Sequence, residues 1–342
     1  MTTDIIDAGL SGVARVAVAQ IARAAVARRI GLVINPRSHA NKADPIQMEA
    51  LLARHPDIRA ASPTSSAALH DTLRAFASDK VDLLVISGGD GTVRDVLSAL
   101  AASDFSSPPD LAILSAGNTN LAGRVLGSPG HGSHALETLI DAIANGHERR
   151  RTCPVLKISW IGEPARPPVY GFLFGAAAFT EAKRIAAETV QRRGIHEGLA
   201  VAVTLMATIV KALFDRRSTL SDGTRMAVSV DDAPSGDAPR FLILATTLDR
   251  LMLGLWPFWG QGSGGIRWLD IDAPAPWLGA ALAAVLLQRP RRWMARKGYR
   301  SGRADSLRIR MEQPFILDGE AFDAGADGIL LSASRSVTVI TA

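Results

Sequence analysis

Residues 81–95 read VDLLVISGGDGTVRD. An apolar run of strand length ends in Gly88-Gly89-Asp90-Gly91-Thr92. Beyond it Val93, Val96, Leu97 and Leu100 fall at the spacing of one helix face. A strand that passes into a helix through glycines presents successive main-chain N–H groups at a helix N-terminus, where aligned peptide dipoles favour an anion. Glycine allows positive φ there and lets a phosphate come close where a Cβ would obstruct it. The stretch therefore reads as a phosphate cradle. Asp90 would repel a bare phosphate, so its presence implies a Mg²⁺ between carboxylate and nucleotide, or a hydroxyl to be positioned. No Gly-Lys-Ser/Thr follows, so this is not a Walker loop.

The surrounding chain supplies the fold. Gly31 to Ile34 reads as a buried strand that ends at Asn35-Pro36, where proline forces a turn. Helices follow over 45–55 and 64–78, the second with Thr64 as N-cap and Leu69, Leu73 and Phe76 on one face. The strand 81–87, a further strand at 111–115 and a helix carrying Leu136, Leu139, Ile140 and Ile143, closed by Gly146, continue the alternation. Repeated strand–helix units imply a mostly parallel sheet covered on both faces.

Near residue 150 the rhythm changes to strand-like segments at 155–161, 225–231, 240–247, 266–272 and 306–312, interrupted by helical spacing over about 180–192, 198–214 and 277–288. APSGDAP (233–239) has the composition of a hairpin loop. The expected organisation is an amphipathic helical extension at 1–29, an α/β domain at 30–150 and a β-rich domain at 151–332.

Composition sets the bounds. A chain of 342 residues exceeds the roughly 250–300 at which single cores stop growing, so two lobes are expected. The only cysteine, Cys153, excludes an internal disulfide and gives no zinc-ligand spacing, which fits a reducing cytoplasm. Asp4, Asp7, Arg15 and Arg23 argue against an export signal, and the apolar stretch Leu199 to Val210 is shorter than the roughly 20 residues a membrane span needs. Net charge is +5, and residues 289–303 (RPRRWMARKGYRSGR) hold seven Arg or Lys with no acid. Such a run is either a solvated helix face or a peripheral site for an anionic membrane surface. Nucleic acid is not expected, because no motif for it accompanies the run. Leu253 to Trp259 (LGLWPFW) reads as core packing or as a lipid-contacting lip.

The motif Gly88-Gly89-Asp90-Gly91-Thr92 resembles the GGDGT signature of diacylglycerol kinases, sphingosine kinases, bacterial lipid kinases and NAD kinases. Three more stretches resemble the lipid kinase set in order and spacing: Ile34 to Ser38 (INPRS), Leu114 to Ala122 (LSAGNTNLA) and Leu317 to Glu320 (LDGE). The resemblance runs from about residue 30 to the end. It implies an N-terminal three-layer α/β nucleotide-binding domain, a C-terminal β-sandwich that takes the lipid, ATP in the cleft between them, and a return of about 333–342 to the first domain.

By that resemblance the nucleotide is held by Asn35, Gly88, Gly89, Asp90, Gly91, Thr92, Gly117, Asn118, Thr119 and Asn120, and Thr64, at a helix start on the same edge, is a further candidate from its position. Ser62 is a second candidate beside Thr64, which as a helix start also reads as a plain N-cap. Glu320 is the general base for a lipid hydroxyl, with Asp318 beside it, and Asp90 and Asp318 are the Mg²⁺ ligands. Without the other motifs, Asp318-Gly319-Glu320 would read as an ordinary exposed turn. The chain departs from the family pattern at His39 for glycine, Asn118 for threonine and Arg94-Asp95 for Asn-Glu. Its 261–265 loop (QGSGG) has no acid for a second metal. The expected activity is phosphorylation of a diacylglycerol-like or sphingoid alcohol by a cytoplasmic, peripherally membrane-associated enzyme; a homodimer is compatible with it. An NAD kinase-like enzyme and a catalytically silent membrane-surface nucleotide-binding protein are the alternatives.

Overall fold

A computed structural model describes residues 28–117, 120–180, 223–233, 236–251, 256–287 and 289–342. The expected N-terminal helix, the helices over 180–192 (save Thr180) and 198–214, and the apolar stretch Leu199–Val210 lie outside the described residues.

The first half runs β1 (Ile30–Ile34), α1 (His39–Ala43), α2 (Pro45–Arg54), β2 (Arg59–Ala61), α3 (Ser66–Ser78), β3 (Leu83–Gly88), α4 (Asp90–Ala101), β4 (Asp110–Ser115), α5 (Leu121–Leu126) and α6 (Gly132–Ala144). The four strands pair in parallel in the order β4-β3-β1-β2. Every residue of β3 is buried, as befits a strand covered on both faces. Leu73, Phe76, Val93, Val96 and Leu121, from α3, α4 and α5, pack on one face. Met48, Leu51, Leu136 and Leu139, from α2 and α6, pack on the other. The start of α3 differs from the sequence expectation. Its cap is Ser65, whose Oγ accepts from Ala68 N at 3.1 Å, and Thr64 stands outside the helix.

The second half runs β5 (Arg149–Trp160), β6 (Val169–Gly171), β7 (Leu173–Ala177), β8 (Thr224–Val230), β9 (Asp237–Thr246), β10 (Ile266–Asp272), α7 (Leu278–Leu286), α8 (Arg292–Arg296), β11 (Tyr299–Ala304), β12 (Ser306–Met311), β13 (Phe315–Leu317), β14 (Glu320–Phe322) and β15 (Ile329–Thr341). Its pairings are antiparallel and enclose a core of Phe174, Ile243, Leu307, Ile309, Phe315 and Ile329. β15 belongs to both halves. It pairs with β12 through Ile329 to Ser332, with β5 over most of its length, and in parallel with β4, where Val339 faces Leu111. The β5–β15 register shifts between Ala333 and Ser336, and Pro154, which has no amide hydrogen to donate, faces Ser336.

The basic run is not one solvated face. Arg289, Arg291, Arg292, Arg296 and Lys297 are exposed around α8, but Tyr299 to Ala304 form strand β11. Arg300 there donates to Asp270 Oδ2 at 2.9 Å and Asp272 Oδ2 at 2.8 Å. Tyr299 is buried against Trp293, which in turn meets Trp277 edge-on. Of the aromatic segment 253–259, Phe258 is buried and Trp256 and Trp259 pack beside it in the same cluster, so these three residues are core packing. No helix among the described residues is long and apolar enough to cross a membrane.

Candidate active site

The turn after β3 sits at the C-terminal edge of the parallel strands, where ligands of open α/β sheets bind. Its glycines act differently from the expectation. None of Gly88, Gly89 and Gly91 takes positive φ, and Gly89 has φ −91°. Gly89 provides close approach to Gly117, on the next turn. A Cβ on Gly89 would stand 3.1 Å from Gly117 Cα, and one on Gly117 only 2.6 Å from Gly89 Cα. Two main chains thus touch where side chains would hold them apart. α4 begins at this contact with no side-chain cap, which leaves first-turn amides directed at the edge.

The polar motif residues brace this arrangement. Asn35 Nδ2 donates to Thr92 Oγ1 at 2.8 Å, tying the end of β1 to the loop. Gly117 N donates to Asn120 Oδ1 at 2.9 Å, and Asn120 takes a left-handed conformation to do so. The Asp90 carboxylate accepts from Leu121 N at 2.9 Å and Ala122 N at 3.0 Å, capping α5 from across the turn. Asp318 mirrors it from the β-rich half, accepting from Phe172 N at 2.9 Å and Leu173 N at 2.8 Å. Burial pushes the Asp90 carboxyl upward against these amides and Arg124. Burial, reinforced by the charge of Asp90, pushes Asp318 up to about 7. Asn118 and Thr119 lie outside the described residues.

Glu320 differs from both aspartates. Its side chain is 57 % exposed, and its Oε1 would lie 3.6 Å from a Cβ placed on Gly91. An acid of the β-rich half therefore stands over the first turn of α4. Between them lies Arg94, which is buried, donates to Asp95 Oδ1 at 2.7 Å, lies over the Phe322 ring and keeps Nη1 unpartnered 3.9 Å from Glu320 Oε1. A cavity of about 680 Å³ opens here, within the usual size of small-molecule sites. Asn35, Thr64, Thr92, Arg94 and Asp95 line it from the first half, and Tyr170 and Phe322 from the second. Of the motifs, Asn35 to Arg37 and Thr92 line this cavity, while Glu320 stands beside it over Gly91 and is not in its lining. Ser62 is absent from the cavity lining, whereas Thr64 is part of it.

Sequence reasoning missed Asn41. Its Nδ2 donates to Asn35 O at 2.9 Å and Ser87 O at 3.0 Å, and its Oδ1 accepts from Ser87 Oγ, joining the ends of β1 and β3 under the loop. A lone asparagine after a proline turn carries no signal of that role. Arg94 was noticed only as a departure from pattern.

Among the described residues no group of three or more His, Cys, Asp or Glu side chains could by itself hold a metal. A magnesium site that draws on nucleotide phosphates and water needs only one or two carboxylates. Asp90 and Asp318 fit that lesser requirement: both are half-buried, and the charge of Asp90 raises the pKa of Asp318, a cost a cation relieves.

The fold is shared with known proteins. Residues 29–150 match the diacylglycerol kinase catalytic domain. A candidate diacylglycerol kinase from Bacillus anthracis str. Sterne has a similar fold, with TM-score 0.62 and 18% identity over 92% of this chain and 97% of that one. A second structure, of a diacylglycerol kinase from the same organism, gives 0.58 and 16% over 92% and 97%. No curated protein matches the chain in sequence. Residues 29–150, with the glycine turn and the amides of α4 at their centre, belong to the diacylglycerol kinase catalytic domain family.

Proposed function

We propose that this chain transfers the γ-phosphoryl group of ATP to the hydroxyl of a lipid, a diacylglycerol-like or sphingoid alcohol. The observation that carries the reading is the placement of the Glu320 carboxylate, from the β-rich half, over Gly91 in the first turn of α4.

Phosphoryl transfer depends mainly on alignment and charge neutralisation, because its transition state is loose. The uncapped amides of α4 hold the phosphates, with Gly89 and Gly117 keeping the wall behind them free of side chains. Thr64 and Asp95 line the cavity that takes the rest of the nucleotide. Asp90 and Asp318 are the residues that would hold Mg²⁺, which when bound neutralises charge on the phosphate oxygens. Glu320, exposed to the cleft, takes the proton of the attacking hydroxyl, since an alcohol is a weak nucleophile at neutral pH. The free Nη1 of Arg94 keeps positive charge beside that carboxylate.

Membrane contact belongs to the same reading. Trp277 and Leu287 are exposed, 62% and 70%, beside the exposed cations Arg289, Arg291, Arg292, Arg296 and Lys297. Amphipathic aromatic and apolar side chains with a cationic collar suit an anionic bilayer surface.

The test is incubation with labelled ATP and a panel of lipid alcohols in vesicles. Label is expected in the lipid, and Glu320→Gln is expected to lose at least about 100-fold in turnover, the lower end for a positioned acid or base. Unchanged turnover in Glu320→Gln removes that residue from the chemistry. Stabilisation by Mg-ATP without transfer to any lipid overturns the kinase reading.

A further inference from the structure

A second cavity, of about 700 Å³, opens at the same sheet edge on the far side of the 115–120 turn. It lies at the C-terminal ends of β4 and β15 and beside α5, and it contains none of the cleft residues Asn35, Thr64, Thr92, Arg94 or Glu320. Arg124, Arg149, Arg150, Arg151 and Arg250 line it together with His131, and no lining side chain is acidic.

Part of this cluster has a structural role. Arg151 and Arg250 donate to Val125 O, at 2.7 and 2.8 Å, and so close the C-terminal end of α5. Arg151 also meets Asp249, and Arg150 meets Asp110, an acid already held by Arg28 at 2.7 Å. Arg149 does none of this. It is exposed and pairs with no acid among the described residues, and Arg250 likewise pairs with none. A helix end needs one or two donors, not five guanidinium groups around a hollow.

An independent observation points into the same place. Ser115 Oγ, at the end of β4 on the cavity wall, is buried without a hydrogen-bond partner. A buried hydroxyl normally has one. Several planar guanidinium forks beside a free hydroxyl form a donor-rich, acceptor-poor surface, the complement of a tetrahedral anion with several acceptor oxygens. An apolar ligand would leave those donors unpaired and is disfavoured.

We propose that this arginine-lined cavity is a phosphate-binding site separate from the cleft, taking either a free phosphate or the phosphate of a lipid headgroup. The turn that separates the two sites is shared. Asn120 lines the arginine cavity while its side chain holds Gly117, the glycine packed against Gly89.

The test is calorimetric titration of the full chain with inorganic pyrophosphate at low salt, in the wild type, in Arg149→Glu, in Gly91→Asp, which places a carboxylate at the cleft instead, and in the two combined. The pyrophosphate binding that persists in Gly91→Asp is expected to weaken at least about tenfold when Arg149→Glu is added, the loss of one charge-assisted hydrogen bond. Binding abolished by Gly91→Asp and untouched by Arg149→Glu would assign the anion to the glycine turn and overturn the proposal, as would no binding at all. Sedimentation with phosphatidylcholine vesicles, with and without phosphatidic acid, separates the sources. A loss of acid-dependent sedimentation in Arg149→Glu identifies a headgroup, and unchanged sedimentation with weakened pyrophosphate binding identifies a free phosphate. Neither readout uses phosphate transfer, so failure here is distinguishable from failure of the kinase reading.

Discussion

The two turns that meet across the cleft are built from similar letters and solve their geometry differently. In Gly88-Gly89-Asp90-Gly91 no residue takes positive φ; Gly89 lets two main chains touch and Gly88 leaves room for the Thr92 side chain. In Asp318-Gly319-Glu320 both Asp318 and Gly319 take positive φ, 46° and 87°, and a Cβ on Gly319 would meet nothing within 4 Å. In each turn the aspartate is directed inward onto two neighbouring amides. Only Glu320 is left with its carboxylate in the open gap. The lesson is that an acid in a motif is not thereby the proton acceptor: the aspartate pair is engaged by main-chain amides, and the exposed glutamate is the one free to meet a hydroxyl.

That contrast can be broken at four points. Asp90→Ala removes the acceptor of two amides at the head of α5, and with each charge-assisted hydrogen bond worth about 1.5 kcal/mol the loss in stability is expected near 3 kcal/mol by urea denaturation. A loss within about 0.5 kcal/mol, the range of ordinary surface changes, would show that the carboxylate is not a brace. Glu320→Gln should give the opposite profile. Melting stays within that same small range, while turnover in a radiolabel transfer assay falls about 100-fold.

The glycines provide the finer pair. Gly117→Ala forces a methyl to within 2.6 Å of Gly89 Cα, and the backbone shift is expected to cost about 1–3 kcal/mol and to weaken Mg-ATP binding, measured by calorimetry. Gly319→Ala meets no neighbour and bears only the left-handed backbone penalty, about 1 kcal/mol, with nucleotide affinity unchanged. If the two alanine variants behave alike, the distinction between contact and conformation fails.

Much of the fold was legible because its signals are local. The spacing of Leu69, Leu73 and Phe76 placed α3 to within a turn, and the alternation in IRWLDID gave β10 with its observed ends. What was illegible depended on partners distant in sequence. Residues 299–304 looked like part of a solvated basic run, yet they form β11, because Asp270 and Asp272 on the facing strand neutralise Arg300. The positions of Asn35, Thr92 and Glu320 at one edge followed from motif order. The engagement of Asp90 with Leu121 and Ala122, and of Asp318 with Phe172 and Leu173, could not be read. Those acceptors and donors are brought together by the turn geometry alone, and main-chain amides leave no trace in residue identity. Asn41 and the arginine cavity were hidden for the same reason.

The strand shared by the two halves constrains how the cleft can move. Because β15 is hydrogen-bonded in turn to β12, β5 and β4, the walls of the gap are not connected by a slack tether but by a continuous ribbon. Any closing of Glu320 onto the first turn of α4 has to flex that ribbon. The ladder is weakest where Pro154 withholds a donor opposite Ser336 and the register slips, so the ribbon bends there at least cost.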